Sequence, residues 1–480
     1  MAFVGDRLER LAKEHPGRAA LRCGPSRLCR QDLVRAVEAV AFGLAGRTRR
    51  GGRIVLRQRD PVALLICFFA CARSGRVATV MDPDWPQTQA AAVLDRIAPD
   101  LVVDDDGFAA LSALDASAGS RNAPDRTPPG QEDLFYAGFT SGSSGTPKGY
   151  VRSHGSWLES FRLSSAVFGM SPRDRIVVAG QLTHSLHLYG AVCGLAQGQD
   201  VVLMPRFDPR SVLTDLGGTA AGSVLYATPT QLHYLAEAAR RTGPVEAVKQ
   251  VLSSGAKWRE ADRDALKAVF PRARLFEFYG ASETSFITIA TPGDTVPAGS
   301  VGRAADGVEI AIGDPRDPSP AGRSGPVWVR SHMLFHGYIC GTAPDTRWRD
   351  GWLTVGDHGY VDENGFLFLT GRENRMIVTS GLNVYPEEVE AVLDSHPAVA
   401  ASVVVGLPDA VRGERLEAVV QLKGRLDNPQ EQLMRHCRAR LAAGKTPRRI
   451  HVRDALPLTA GGKPDIQGVV ADLLAGGGAG

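Results

Sequence analysis

Gly138-Phe-Thr-Ser-Gly-Ser-Ser-Gly-Thr-Pro-Lys-Gly149 decides how this chain is read: four glycines, five hydroxyl side chains and one lysine, with almost nothing apolar to bury. That composition suits a phosphate cradle. Glycines permit φ > 0 and let backbone N–H groups converge on an anion, the hydroxyls of Thr140, Ser141, Ser143, Ser144 and Thr146 add donors, and Lys148 offers a mobile charge. The apolar run Leu134-Phe-Tyr-Ala137 predicts a short strand just before it, so the stretch is a strand-to-loop junction of the kind that presents loops to ligands. A flexible Gly/Ser linker shares this composition and stays open on composition alone. A Walker A loop does not fit, because Gly444-Lys445-Thr446 has Ala439 where a glycine is needed and Lys148 is followed by Gly149.

A chain of 480 residues is too long for one core, so at least two domains are expected, and 44% hydrophobic with 22% charged residues is ordinary enzyme composition. The net charge of +3 is far from the dense basic face that a phosphate backbone requires. No nucleic-acid partner is expected, and the arginine-rich N-terminal region reads as solvated helix faces. The seven cysteines form no C-x-x-C pair and no cluster with histidines at zinc spacing, so they read as reduced thiols of a cytoplasmic protein. Cys67 and Cys71 stand four apart and are expected on the buried face of one helix. That segment, Pro61 to Ala72, is bounded by Asp60 and Arg73 and is too short to span a membrane. Asp6, Arg7, Glu9 and Arg10 replace the basic-then-apolar order of a leader, so no signal peptide is expected.

From about residue 27 to 105, amphipathic helices (Leu33–Leu44, Leu64–Ala72, Ala91–Ile97) alternate with short apolar strands (Arg53–Leu56, Ala78–Val80, Leu101–Val103). Strand–helix alternation predicts a parallel sheet covered on both faces. Residues 115–130, rich in Ala, Ser, Pro and Gly, read as a surface loop. Further strands are expected at Ile176–Val178, Val201–Met204, Ser223–Tyr226, Gln250–Ser253 and Leu275–Phe278. After about residue 300 the texture changes to short β segments between Gly, Pro and Asp turns, such as Pro326–Arg330 and Gly365–Leu369. A small closing unit follows, with helices Pro386–Asp394 and Glu431–Leu441 and strands Ala401–Val405, Glu417–Gln421 and Arg449–Val452.

The opening stretch resembles the phosphate loop of the adenylate-forming superfamily of acyl-CoA synthetases, peptide-synthetase adenylation domains and luciferases. The usual form, Tyr/Phe-Thr-Ser-Gly-Ser/Thr-Thr-Gly-x-Pro-Lys-Gly, is matched from Phe139 to Gly149 with Ser144 as the one departure. The resemblance covers essentially the whole chain. It implies an α/β fold whose large N-terminal domain, residues 1–373, holds two helix-flanked sheets and a β-rich subdomain, and a small mobile α+β lid, residues 374–480. Thr140, Ser141, Gly142, Ser143, Ser144, Gly145 and Lys148 would hold the phosphates. Phe278-Tyr-Gly-Ala-Ser-Glu-Thr284 resembles the family's Tyr-Gly-x-Thr/Ser-Glu motif, which implies that Phe278, Tyr279, Gly280 and Ala281 line the nucleotide site, Ser282 meets the α-phosphate, and Glu283 is the Mg²⁺ ligand. Ser254, Gly255 and Ala256 correspond to the backbone lining the adenine pocket.

Gly351-Trp-Leu-Thr-Val-Gly-Asp357 resembles Gly-Trp-x-x-Thr-Gly-Asp, with Val355 in place of threonine, and Asp357 would accept both ribose hydroxyls. Arg372, fifteen residues on, matches the ribose-contacting arginine, and Asn374 stands at the hinge. Gly381 would let the thiol arm pass close to the backbone. Val378 replaces the lysine of many members. Leu456-Pro-Leu-Thr-Ala-Gly-Gly-Lys463 resembles the terminal motif whose lysine bridges substrate carboxylate and α-phosphate, so Lys463 takes that role.

The implied cofactors and cosubstrates are ATP, Mg²⁺, and CoA or a phosphopantetheine carrier. Carboxylate attack on the α-phosphate would release pyrophosphate, and a thiol would then take the acyl group. Ser185 stands where amino-acid-activating members carry an aspartate, which disfavours a free α-amino acid. His184 and His187 resemble the histidine-bearing segment of acyl- and aryl-CoA ligases, where one histidine lies near the reacting carboxylate. Tyr189, Gly190, Gly280 and Phe286 would line a medium-sized apolar or aromatic pocket. The expected substrate is an aryl or medium acyl acid, with a monomer or homodimer and no membrane span. Two other outcomes stay open: loading of an acyl carrier protein, and an amine nucleophile or another oxyanion on the same scaffold.

Overall fold

The computed structural model describes residues 2–113, 127–140, 147–218, 222–255, 258, 260–293, 295–379, 382–409, 412–458 and 464–476. Most of the loop expected at residues 115–130 lies outside them. Three sheets organise the described residues. The first has six strands in the order Gly337–Cys340, Lys148–Ser153, Leu134–Thr140, Val77–Val80, Arg53–Leu56 and Leu101–Val103. Its helix Pro61–Ser74 begins on Asp60, which accepts from the Val62 amide at 2.9 Å, and ends on left-handed Gly75 (φ 70°). Residues Val62 through Ala72 are all buried, Cys67 and Cys71 included, so the apolar run is a core helix. Among the described residues no helix is long and apolar enough to cross a membrane.

The second sheet is built on a parallel run. Ala19–Cys23, Asp200–Leu203, Arg175–Val178, Ser223–Tyr226, Val248–Ser253 and Arg274–Ala281 pair in that order. At Ala281 the chain reverses directly into Ser285–Ala290, and from there the pairing is antiparallel through Ser300–Ala304, Phe366–Arg372, Asp357–Val361, Gly325–Arg330 and Glu309–Asp314. The β-rich part is therefore continuous with the parallel sheet through backbone hydrogen bonds.

The two sheets share one apolar core. Phe68, Phe135, Tyr136 and Trp157 form an aromatic cluster within it, with Tyr136 and Trp157 centroids 5.0 Å apart and Phe68 and Phe135 at 5.8 Å. Edge-on pairs of this kind add to what their burial contributes. Leu382–Val384, Ile377–Thr379, Gly413–Leu422, Val399–Asp409 and Arg449–Arg453 form the third sheet, with helices Pro386–Asp394 and Pro429–Arg438 and clusters of buried residues of its own.

Candidate active site

The site-bearing segments follow the carboxyl ends of neighbouring parallel strands, where open α/β sheets leave a crevice for ligands. Gly180 and His187 follow Arg175–Val178, Gln231 follows Ser223–Tyr226, Ser254 follows Val248–Ser253, and Glu283 follows Arg274–Ala281. The phosphate loop comes from the first sheet. Its two flanking strands are antiparallel with Thr140 opposite Lys148, while Ser141, Gly142, Ser143, Ser144 and Gly145 lie outside the described residues. The Thr140 hydroxyl is buried with no hydrogen-bond partner among the described residues, and the Lys148 ammonium stands 5.9 Å from the Tyr338 ring centroid. Gly138 has a steric reason. A Cβ there would lie 2.3 Å from the Tyr136 hydroxyl and 2.5 Å from that of Tyr150, which hydrogen-bond each other at 2.7 Å.

The motif around Glu283 is a tight reversal. Ala281 N donates to the Thr284 hydroxyl at 2.9 Å and Thr284 N to the Ala281 carbonyl at 3.1 Å. Ser285 sits at φ 58°, and its carbonyl oxygen would be 1.7 Å from a Cβ on residue 280, so this turn admits only glycine there. Glu283 is 7% exposed. Its Oε1 accepts from the Tyr338 phenol at 2.8 Å, and its backbone carbonyl accepts from Phe335 N at 2.8 Å. Ser282 Oγ donates to Ser185 Oγ at 3.2 Å, which ties this turn to the start of the helix Ser185–Gln197.

Tyr279, Asp357 and Arg372 converge from three strands. The Tyr279 phenol donates to Asp357, whose other oxygen pairs with Arg372 Nε at 2.7 Å, and Asp357 is 3% exposed. Burial, then the Asp357 charge, pushes the Tyr279 phenol well above its ordinary value, so it stays protonated and keeps donating. Each Asp357 oxygen still has a lone pair for a ribose hydroxyl. Phe278 packs on Phe286 with centroids 4.7 Å apart. Ser254 is half-buried, and Gly255 holds φ 101° in open space; Ala256 lies outside the described residues.

The two histidines part company. His184 is exposed at the start of the helix, whereas His187 is buried with its ring against Gly180, where a Cβ would meet its Cε1 at 2.1 Å. His187 Nε2 lies 3.1 Å from Gln231 Oε1. That amide is oriented by backbone on both sides, since its Oε1 accepts from Thr228 N at 2.9 Å and its Nε2 donates to the Ala179 carbonyl at 3.0 Å. Nε2 of the histidine is therefore the donor. Burial, then the neighbouring His184, lowers the His187 pKa to about 4, so the imidazole is neutral at physiological pH. Tyr189 is buried among Trp157, Phe161 and Phe286, and its hydroxyl engages Ser164 Oγ at 2.6 Å and the Ser160 carbonyl at 2.9 Å. A Cβ on Gly190 would touch the Tyr226 ring at 2.7 Å.

Gly381 and Lys463 lie outside the described residues. Asn374 sits in the 3₁₀ turn Glu373–Arg375, its amide donating to Asp345 Oδ2 at 3.2 Å, and the Tyr385 hydroxyl lies 2.6 Å from His358 Nδ1. Among the described residues no group of three or more His, Cys, Asp or Glu could hold a metal ion. Arg152, Tyr338 and Gln231 went unnoticed in the sequence. The one available signal was the arginine within Tyr150-Val-Arg-Ser153, a charge in a run that otherwise reads as buried strand.

Residues 8–339 match the AMP-binding enzyme family, and residues 388–463 match the AMP-binding enzyme C-terminal domain. The chain belongs to the AMP-binding enzyme family. It is 36% identical over 469 residues to the uncharacterized acyl-CoA ligase YhfT of Bacillus subtilis, covering 94% of each chain. It is 30% identical to a feruloyl-CoA synthase of Amycolatopsis, covering 95% of this chain and 96% of the relative. Among solved structures, the o-succinylbenzoate CoA synthetase of Bacillus subtilis in complex with its acyl-adenylate intermediate superposes with a TM-score of 0.85 at 25% identity, covering 97% of both chains. The same synthetase in complex with ATP and a magnesium ion gives 0.83 at 25% identity, covering 97% of this chain and 99% of that one.

Proposed function

We propose that this site activates an aryl or medium-length acyl carboxylic acid, with Glu283 serving the metal and Asp357 with Arg372 the ribose. The reaction class is that of an AMP-forming acid–thiol ligase: ATP and a carboxylic acid give an acyl-adenylate and pyrophosphate, and CoA then takes the acyl group as a thioester. The convergence of Tyr279, Asp357 and Arg372 beside the Glu283 turn carries the assignment of roles, because it brings a buried dipolar ribose clamp and a buried carboxylate to the same sheet end.

Glu283 fits Mg²⁺, which takes one or two carboxylates and completes its shell with water and phosphate oxygens. When bound, the ion neutralises charge on the polyphosphate. The chain's own part is positioning: Tyr279 and Arg372 orient Asp357, Tyr338 orients Glu283, and Gln231 orients His187, which burial keeps neutral, at the mouth of the helix that begins at Ser185. Tyr189 and Phe286 pack against each other at 5.6 Å, which supports a pocket bounded by aromatic walls. We place the boundary between a 1–373 adenylation domain and a 374–480 lid near Asn374, with Lys463 acting from the lid. All seven cysteines are free, which supports a cytoplasmic setting.

Pyrophosphate release screened over carboxylic acids, with and without CoA, tests the reading. Turnover is expected with an aryl or medium acyl acid, and a thioester is expected only when CoA is present. Turnover confined to long-chain or amino acids would overturn the substrate class, and thioester formation on a carrier protein but not on CoA would overturn the acceptor.

A further inference from the structure

Arg152 is 2% exposed, lies outside every motif that drew attention to the site, and is used by no step above. A guanidinium taken out of water is costly unless it is paired and fully hydrogen-bonded. Its hydrogen-bond partners among the described residues are all neutral, and the Glu283 charge acts on it without a hydrogen bond between them. Nε donates to Ser156 Oγ at 3.2 Å, Nη1 to the Ser282 carbonyl at 2.9 Å, and Nη2 to Ser285 Oγ at 2.8 Å and to the Met333 carbonyl at 2.5 Å.

These partners have a common geometry. Ser282 and Ser285 bracket Glu283 in the reversal, and Ser285 is held at φ 58°, a left-handed conformation that a serine adopts only when its surroundings impose it. The Met333 carbonyl belongs to the segment that grips Glu283 from the other side, through Phe335 N to the Glu283 carbonyl at 2.8 Å and the Tyr338 phenol to Oε1 at 2.8 Å. Arg152 itself lies in Lys148–Ser153, the strand that leaves the phosphate loop. One planar fork therefore ties three segments together: the loop's outgoing strand, the turn that carries the carboxylate, and the segment that orients it.

We infer that Arg152 is a positioning residue for Glu283, fixing the carboxylate relative to the phosphate loop so that magnesium and ATP meet a preset ligand. The inference rests on the reading of Glu283 as the magnesium ligand. The fork matters more than the charge. A lysine keeps the cation but has one nitrogen, and cannot span carbonyls and hydroxyls on three segments.

The test is calorimetric: ATP affinity measured in EDTA and again in saturating Mg²⁺, for the wild type, Arg152→Met, Arg152→Lys and Glu283→Gln, with folding checked by circular dichroism. In both Arg152 variants the gain in ATP affinity on adding Mg²⁺ should shrink by about tenfold or more, while affinity in EDTA stays within about threefold of wild type. The Mg²⁺ midpoint of pyrophosphate release should rise with it. Equal loss of ATP affinity in both buffers would mean a general structural role and would overturn the inference, as would restoration of the gain by lysine. Should Arg152→Met fail to fold, Ser285→Ala removes a single acceptor, and an unchanged gain there together with an unchanged gain in Arg152→Lys overturns it. Glu283→Gln separates the two layers. If it keeps the gain, the metal reading falls and takes the inference with it; if it loses the gain while the Arg152 variants keep it, the inference alone falls.

Discussion

Two buried carboxylates stand at strand ends of one sheet, and they are held in opposite ways. Asp357 is paired with a guanidinium, Arg372, and accepts from the Tyr279 phenol, so its charge is balanced within the chain. Glu283 accepts from the Tyr338 phenol, while the nearby buried guanidinium of Arg152 is turned to carbonyls and hydroxyls. A neutralised carboxylate is a platform for hydrogen bonds, which is what a ribose diol requires. A carboxylate with no ion pair among the described residues, such as Glu283, would keep an attraction for a hard cation even with the charges of Arg152 and Arg372 near it. On the proposed roles, one residue class would serve two chemistries according to whether it is ion-paired among the described residues.

The sharpest way to break this contrast is Glu283→Gln, which keeps the shape and removes the charge. The Mg²⁺ concentration for half-maximal pyrophosphate release should rise by about 10–100-fold, read by titration at saturating ATP. Asp357→Asn is the matched experiment. It should raise the KM for ATP by about tenfold, the loss expected when a charge-assisted hydrogen bond becomes neutral and its arginine is left unpaired, and leave the Mg²⁺ midpoint in place. An equal shift of the midpoint in both variants would show that the two carboxylates share one role.

Motif by motif, each half of this contrast was legible in the sequence, because the Glu283 and Asp357 motifs are contiguous runs. Their partners were not. Arg152 reaches Ser282 across 130 residues and Tyr338 reaches Glu283 across 55, distances over which no local pattern carries information. Strand alternation places Tyr150 and Arg152 on one face, but the groups that bury it, among them Tyr136, Met333 and the turn at Ser282–Ser285, come from other parts of the chain. Tyr189 was read for its ring alone; that its hydroxyl engages Ser160 and Ser164, on the helix His154–Phe168, was not legible, because no local pattern pairs them. The change of texture after residue 300 was visible, whereas the continuity of those strands with the parallel sheet was not, because pairing order is a property of tertiary contacts. It depends on the three-residue reversal between Ala281 and Ser285.

A smaller effect sharpens the Glu283 side. Tyr338→Phe removes the phenol that orients Oε1 and leaves the ring that packs on Phe335 at 5.0 Å. Loss of one hydrogen bond to a charged acceptor should raise the Mg²⁺ midpoint by about threefold to tenfold, less than loss of the charge itself. A midpoint that stays at the wild-type value would mean that the Arg152-bound turn alone fixes the carboxylate.

The smallest effect belongs to the Asp357 side, where the strand that carries the proposed ribose carboxylate also touches the proposed lid. The Tyr385 hydroxyl lies 2.6 Å from Nδ1 of His358, the residue after Asp357, and the neutral ring accepts or donates there according to its tautomer. Burial lowers the His358 pKa below its ordinary 6.5, with Glu373 opposing, Arg347 adding and Asp357 opposing. A histidine with a depressed pKa in the packed state binds fewer protons there than when it is released to water, so the contact is intact above pH 6.5 and weakens as pH falls through that value toward the packed-state pKa. Protonation leaves Nδ1 a donor in every case, so the phenol can then only accept from it. Tyr385→Phe should therefore change the ratio of adenylate-forming to thioester-forming single-turnover rates by about twofold to fivefold, the range of one neutral hydrogen bond, and should flatten the dependence of that ratio on pH just below 6.5. A ratio that titrates in the variant as it does in the wild type would place the pH-sensitive contact elsewhere, and would leave Asp357 with a clamp but no link to the lid.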